Sequence, residues 1–177
     1  MKEKISSKKF LLMGVLLLAA AFSRFIPHPP NFAPIAAMAL FSGAYFSDKK
    51  IAFLLPIFAM FLSDLFIGLH EGMWFVYIGF ALIVGIGFLL QNRIKAKNVL
   101  LASLSASVAF FVITNFGVWV MGLYYPTNLA GLAQSYIAAI PFFHNAILGD
   151  LVYSGLLFGV YELAKRKVPE LQLVEVK

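Results

Sequence analysis

Six apolar stretches divide the chain, at 10–25, 33–47, 51–69, 73–90, 99–123 and 141–163. A helix needs about 20 residues to cross a hydrocarbon core, within a range of roughly 17–25. The pattern therefore predicts an all-α membrane protein, a bundle of six transmembrane helices forming one domain over 1–177. The second stretch is short and is expected to be buried among its neighbours. Polar or helix-breaking runs separate the stretches: IPHPPNF at 26–32, DKK at 48–50, HEG at 70–72 and QNRIKAKN at 91–98. Pro27, Pro29 and Pro30 cannot continue a helix, which fixes the first turn. In the longer segment 124–140, Leu129, Leu132, Ala133, Tyr136, Ile137 and Ile140 recur at helical spacing. That spacing predicts a short amphipathic helix lying at the outer interface, a connector or a lid.

Composition supports the membrane reading. The chain is 62% hydrophobic and 12% charged, with a mean hydropathy of +0.89. A soluble domain carries about 25% charged residues, and one of this size could not hide so much apolar surface. The net charge of +6 is confined to tails and turns, so it indicates topology rather than nucleic-acid binding. Lys2, Lys4, Lys8 and Lys9 precede the first helix, and Lys49 and Lys50 follow the second. Arg93, Lys95 and Lys97 follow the fourth, and Lys165, Arg166, Lys167 and Lys177 follow the sixth. Six crossings place thirteen of the fourteen Lys and Arg residues on one side, with only Arg24 opposite. Both termini are thus expected in the cytoplasm, for a protein of the bacterial cytoplasmic (inner) membrane. A basic start, an apolar core and Ala19-Ala20-Ala21 would also suit a signal peptide; a retained first helix is the expectation. There is no cysteine, and the three histidines fall in three different turns, so neither a metal nor a cofactor is expected.

Ionisable groups inside a span cost about 2.5–3.5 kcal/mol each at a helix centre, so each needs a reason. They are Arg24, Asp64 and Asp150, accompanied by Asn115, His144 and Asn145. The predicted topology places all of them, with Asn31, in the non-cytoplasmic half, which is the asymmetry of an outward-facing pocket. On the fifth helix Phe111, Asn115, Trp119 and Gly122 share a face; on the third, Ile57, Phe61, Asp64, Gly68 and Glu71 do. Asp150 groups with Tyr153, Ser154 and Leu157, and Asn145 points away from it. Aromatic rings with a few polar anchors suit a flat, partly polar ligand. The plainer alternative is an ion pair between Arg24 and either Asp64 or Asp150 that only holds helices together.

The stretch RFIPHPPNFAPIAAMALFSGAYF at 24–46, followed by FLSDLFIG at 61–68, resembles a family of small bacterial membrane proteins of uncharacterised function. These in turn resemble the substrate-binding S-components of energy-coupling factor (ECF) vitamin transporters. The resemblance covers most of the chain in layout. It implies a binder of a vitamin-like heterocycle with its site on the outer side. It also implies partners, a module of two ATPases with a membrane coupling subunit. In S-components an Ala-x-x-x-Ala spacing on the first helix meets that subunit; here the nearest match is Ala19-x-x-x-Ser23.

The expected function is S-component-like uptake, with Asn31, Asp64, Asn115, Trp119, Asp150 and Arg24 around the substrate. No Gly-rich Gly-Lys-Ser/Thr loop is present, so any ATP hydrolysis belongs to a partner. The alternatives are a proton- or ion-coupled solute transporter that uses Asp64 and Asp150 as carriers, and a non-transporting membrane scaffold. An enzyme is not expected, because no nucleophile–base pair stands at a recognisable spacing.

Overall fold

The computed structural model describes residues 7–69 and 71–171, apart from the side chain of Glu170. Lys2, Lys4, His70 and Lys177 lie outside the described residues. Among those described, the chain forms six α-helices and no strand. They are α1 (Ser7–Phe22), α2 (Ile35–Tyr45), α3 (Lys49–Ile67), α4 (Met73–Phe88), α5 (Ala96–Val120) and α6 (Leu129–Lys167). Short 3-10 turns follow α1 at Ser23–Phe25 and α6 at Pro169–Leu171. Three helices, α3, α5 and α6, are long and apolar enough to cross a membrane; α2 and α4 are apolar but shorter.

The core is built around α2, which packs against all five other helices. Every residue from Ala36 to Ala44 is buried. Small side chains make this possible. Gly43 of α2 faces Gly87 of α4 so closely that a Cβ on Gly43 would collide with the Val84 carbonyl oxygen. One on Gly87 would sit 2.5 Å from the Leu40 carbonyl oxygen. Below this contact Phe41 and Tyr45 stack with Phe158 and Tyr161 of α6, with the Tyr45 and Tyr161 ring centroids 4.3 Å apart. Gln91 donates from Nε2 to the carbonyls of Gly43 at 2.9 Å and Phe46 at 3.1 Å, satisfying the end of α2.

Local chemistry sets the helix ends. Asp48 caps α3, accepting from the backbone N–H of Lys50 at 2.8 Å and Ile51 at 3.3 Å, which starts the helix two residues before its apolar stretch. Inside α3, Pro56 has no N–H to give to Ala52, and the Ser42 hydroxyl donates to that carbonyl instead, at 2.7 Å. Asn128 caps α6 through the Gly131 N–H.

The main departure from the sequence reading is at 124–140. The short interfacial helix expected there is the beginning of α6, which runs unbroken through Pro141 for 39 residues. A proline removes one backbone donor and crowds the carbonyl four residues earlier, but packing against a neighbouring helix can hold the chain helical across it. Here the neighbour is α5. Phe111 contacts the rings of Tyr136 and Phe143 on either side of the proline, and the Tyr136 hydroxyl donates to the Val112 carbonyl at 2.8 Å.

Candidate functional site

Arg24 lies in the 3-10 turn after α1, where its side chain reaches α3. Its Nη1 donates to Asp64 Oδ1 and to Ser63 Oγ, both at 2.5 Å. The second oxygen of Asp64 accepts from the Tyr77 hydroxyl of α4 at 2.8 Å. Asp64 is therefore enclosed, at 3% exposure, in a clamp that joins the end of α1 to α3 and α4. Of the two aspartates the sequence offered to Arg24, the structure pairs it with Asp64. The Nη2 and Nε donors of Arg24 have no partner among the described residues, and the residue borders a cavity.

Asp150, on α6, has different surroundings. It is 4% exposed and accepts from the Ser107 hydroxyl of α5 at 2.6 Å. It has no cationic partner among the described residues. A carboxyl group enclosed this way with no counter-ion is costly to keep ionised in an apolar setting.

Between these groups is a cavity of about 470 Å³. Its walls come from the 3-10 turn after α1 and the loop at 26–34, the N-terminal parts of α2 and α4, the C-terminal end of α3, the middle and C-terminal half of α5, and the middle of α6. The basic turns at Lys49–Lys50 and Arg93–Lys97 and the Lys165–Lys167 end of α6 lie at the opposite termini of these same helices. Arg24, His28, Asn31, Ser107, Thr114, Asn115 and Asp150 supply the polar lining, and Phe110, Phe111 and Phe143 the aromatic part. Asn31 holds a left-handed backbone conformation (φ 64°), which asparagine tolerates better than most residues. The loop carrying it is pinned where Asn145 donates to the Pro30 carbonyl at 3.0 Å. It also presses on α6 at Gly149, where a Cβ would stand 3.0 Å from the Ala33 nitrogen.

Of the residues the sequence proposed, the structure brings Arg24, Asn31, Asn115 and Asp150 to one cavity and leaves Asp64 and Trp119 out of its lining. Asp64 sits behind Arg24. Trp119 occupies the last turn of α5, where its indole N–H donates to the Asn128 carbonyl at 3.0 Å and its ring stacks near Phe116. Asn115 bonds back to its own helix, donating from Nδ2 to the Phe111 carbonyl at 2.8 Å. The sequence reading placed His28 on the same side but did not assign it, Ser107 or Thr114 to the site. A signal for Ser107 and Thr114 was present, because Ser107, Phe111, Thr114, Asn115 and Val118 follow the i, i+4, i+7, i+8, i+11 rhythm of one helix face. Among the described residues no three His, Asp or Glu side chains cluster as metal ligands would.

The fold and cavity define a class: an all-helical chain with membrane-length apolar helices and buried ionisable groups around a partly polar, partly aromatic cavity. Residues 4–171 match the model of a family of unknown function, DUF6580, and the chain belongs to that family. No curated protein and no solved structure matches it.

Proposed function

We propose that this protein is a six-span uptake component of the bacterial cytoplasmic membrane that binds a vitamin-like heterocycle from the outer side, in the manner of an ECF S-component. The observation that carries the reading is the cavity of about 470 Å³, lined by Arg24, Asn31, Asn115 and Asp150 and set away from the basic turns. Three phenylalanines offer faces for a ring, and the free donors of Arg24 and the carboxyl of Asp150 offer opposite polarities to its edge. A ligand with both an acceptor and an N–H edge matches that pairing. Energy would come from a partner module of ATPases and a coupling subunit, or transport would follow the gradient.

The test is native mass spectrometry with solvent extraction of the detergent-purified protein, followed by binding of the extracted compound to variants. A stoichiometric heterocycle, lost in Asp150→Ala and in Asn115→Ala while both still fold, is the expected result. Unchanged affinity in both variants defeats the assignment of this cavity.

A second reading, proton- or ion-coupled transport, draws on one specific feature. Asp64 is committed to Arg24 and Tyr77, whereas Asp150 has no ion-pair partner among the described residues. In that reading Asp150 alone is the protonatable carrier. Uptake into liposomes driven by an imposed pH gradient, without any ATPase, and abolished by Asp150→Asn, would favour it.

A further inference from the structure

We infer that the groove between α5 and α6 at the basic end of the bundle is a binding site for one anionic phospholipid. The groove holds about 580 Å³ and is lined by residues other than those of the ligand cavity. Its wall is apolar, from Val99, Leu100, Leu151 and Phe158, and its mouth carries Lys95 from the start of α5 and Arg166 from the end of α6. Among the described residues neither cation has a hydrogen-bond or ion-pair partner. Glu162, the acid in the wall, does not neutralise them. It accepts from the Tyr45 hydroxyl at 2.7 Å and lies 4.0 Å from Lys165. Two uncompensated cations therefore flank one opening above an apolar channel. The first turn of α5, which no side chain caps, adds the positive end of a helix dipole to the same mouth.

Shape supports the same occupant. Gly155 and Gly159 line the groove, and a Cβ added at either would meet nothing within 4 Å, so the space along α6 is open. From Leu151 to Arg166 the helix rises roughly 22 Å. One leaflet of hydrocarbon is about 15 Å deep, so this length takes an acyl chain and leaves a headgroup beside the cations. The phosphodiester would sit between Lys95 and Arg166, with the guanidinium able to hold two oxygens at once. A free phosphate would leave the apolar wall uncovered. A second copy docked groove to groove would oppose these cations with their own kind, which like-charge repulsion disfavours. The inference depends on the chain being embedded in a membrane and is independent of what the ligand cavity holds.

The full-length protein in detergent, mixed with equal amounts of phosphatidylglycerol and phosphatidylcholine, gives the test by native mass spectrometry. The expected spectrum shows one phosphatidylglycerol retained per protein at collision energies that strip phosphatidylcholine. Each basic residue near a lipid headgroup contributes about 1 kcal/mol, so Lys95→Gln with Arg166→Gln should lower retention roughly tenfold or more. Gly155→Leu keeps the cations but fills the channel, and the open space there allows it to fold; it should lower retention too. Lys49→Gln with Lys50→Gln should leave it unchanged. Equal retention of the two lipids, indifference to both groove variants, displacement by 10-fold excess inorganic phosphate, or a lipid-free dimer that the groove variants dissolve would each overturn the site.

Discussion

Pro56 leaves the Ala52 carbonyl without its ordinary helical partner, and Ser42 takes that role from the neighbouring helix at 2.7 Å. Ser42 is fully buried, so no water can replace its hydroxyl. Ser42→Ala should therefore cost about 1–3 kcal/mol, the range for stranding a buried acceptor, read as a lowered midpoint of thermal unfolding in detergent. The Arg24–Asp64 pair gives a second expectation at this scale. Removing one partner of a buried pair costs about 3–5 kcal/mol, whereas replacing both with apolar side chains can be nearly neutral. Asp64→Ala should be severely destabilised and Arg24→Met with Asp64→Leu should recover much of the loss; equal losses in the two would refute a mutual role. The sequence exposed these groups as costly, since ionisable residues in apolar stretches always need a partner. It could not choose between Asp64 and Asp150, because the choice depends on which helix lies beside the end of α1. Nor could helix-face spacing reveal that Trp119, one turn beyond Asn115, would be drawn to the Asn128 carbonyl in the following loop.

At the scale of elements, α2 is the centre of the bundle because its side chains are small. The contact of Gly43 with Gly87 leaves no room for a methyl group, so Gly43→Ala should destabilise by about 1–3 kcal/mol through overpacking. Gly155→Ala is the contrast. It has the same chemistry, but a Cβ there meets nothing, and it should be neutral or gain up to about 1 kcal/mol of helix propensity. A similar effect from both would mean that the close approach of α2 and α4 is not what fixes the position. The apolar pattern made five of the six helices legible to within a few residues, and Asp48 was a readable start signal for α3. It did not make α6 legible as one element, because the local rule for Pro141 argues for a break and the ring contacts from Phe111 that span it are invisible in sequence.

For the whole molecule, the sidedness of charge is the feature most open to direct measurement, and the absence of native cysteine makes it simple. His28 borders the cavity and Lys97 lies in the first turn of α5 at the basic end, and both are exposed. With the proposed orientation, His28→Cys in intact cells reacts with a membrane-impermeant maleimide, and Lys97→Cys reacts only after the membrane is opened. Bound ligand should shield His28→Cys further. Labelling of both variants from the same side would remove the six-span arrangement, whatever the cavity binds.

The brevity of α2 has one more consequence. Its 11 residues rise only about 16 Å, roughly half a hydrocarbon core. Beside its N-terminal end lie the irregular segment 26–34 and the open cavity, a place where backbone at membrane depth must be solvated or covered by protein. With the proposed orientation and water in the cavity, the external potential would reach inward to the level of Asp150, and nearly the whole voltage would then fall across the remaining half of the bundle. A charged ligand entering the recess crosses little of that field, so its affinity should scarcely change with voltage. Each elementary charge carried past Asp150 meets almost all of it, about 2.3 kcal/mol per 100 mV.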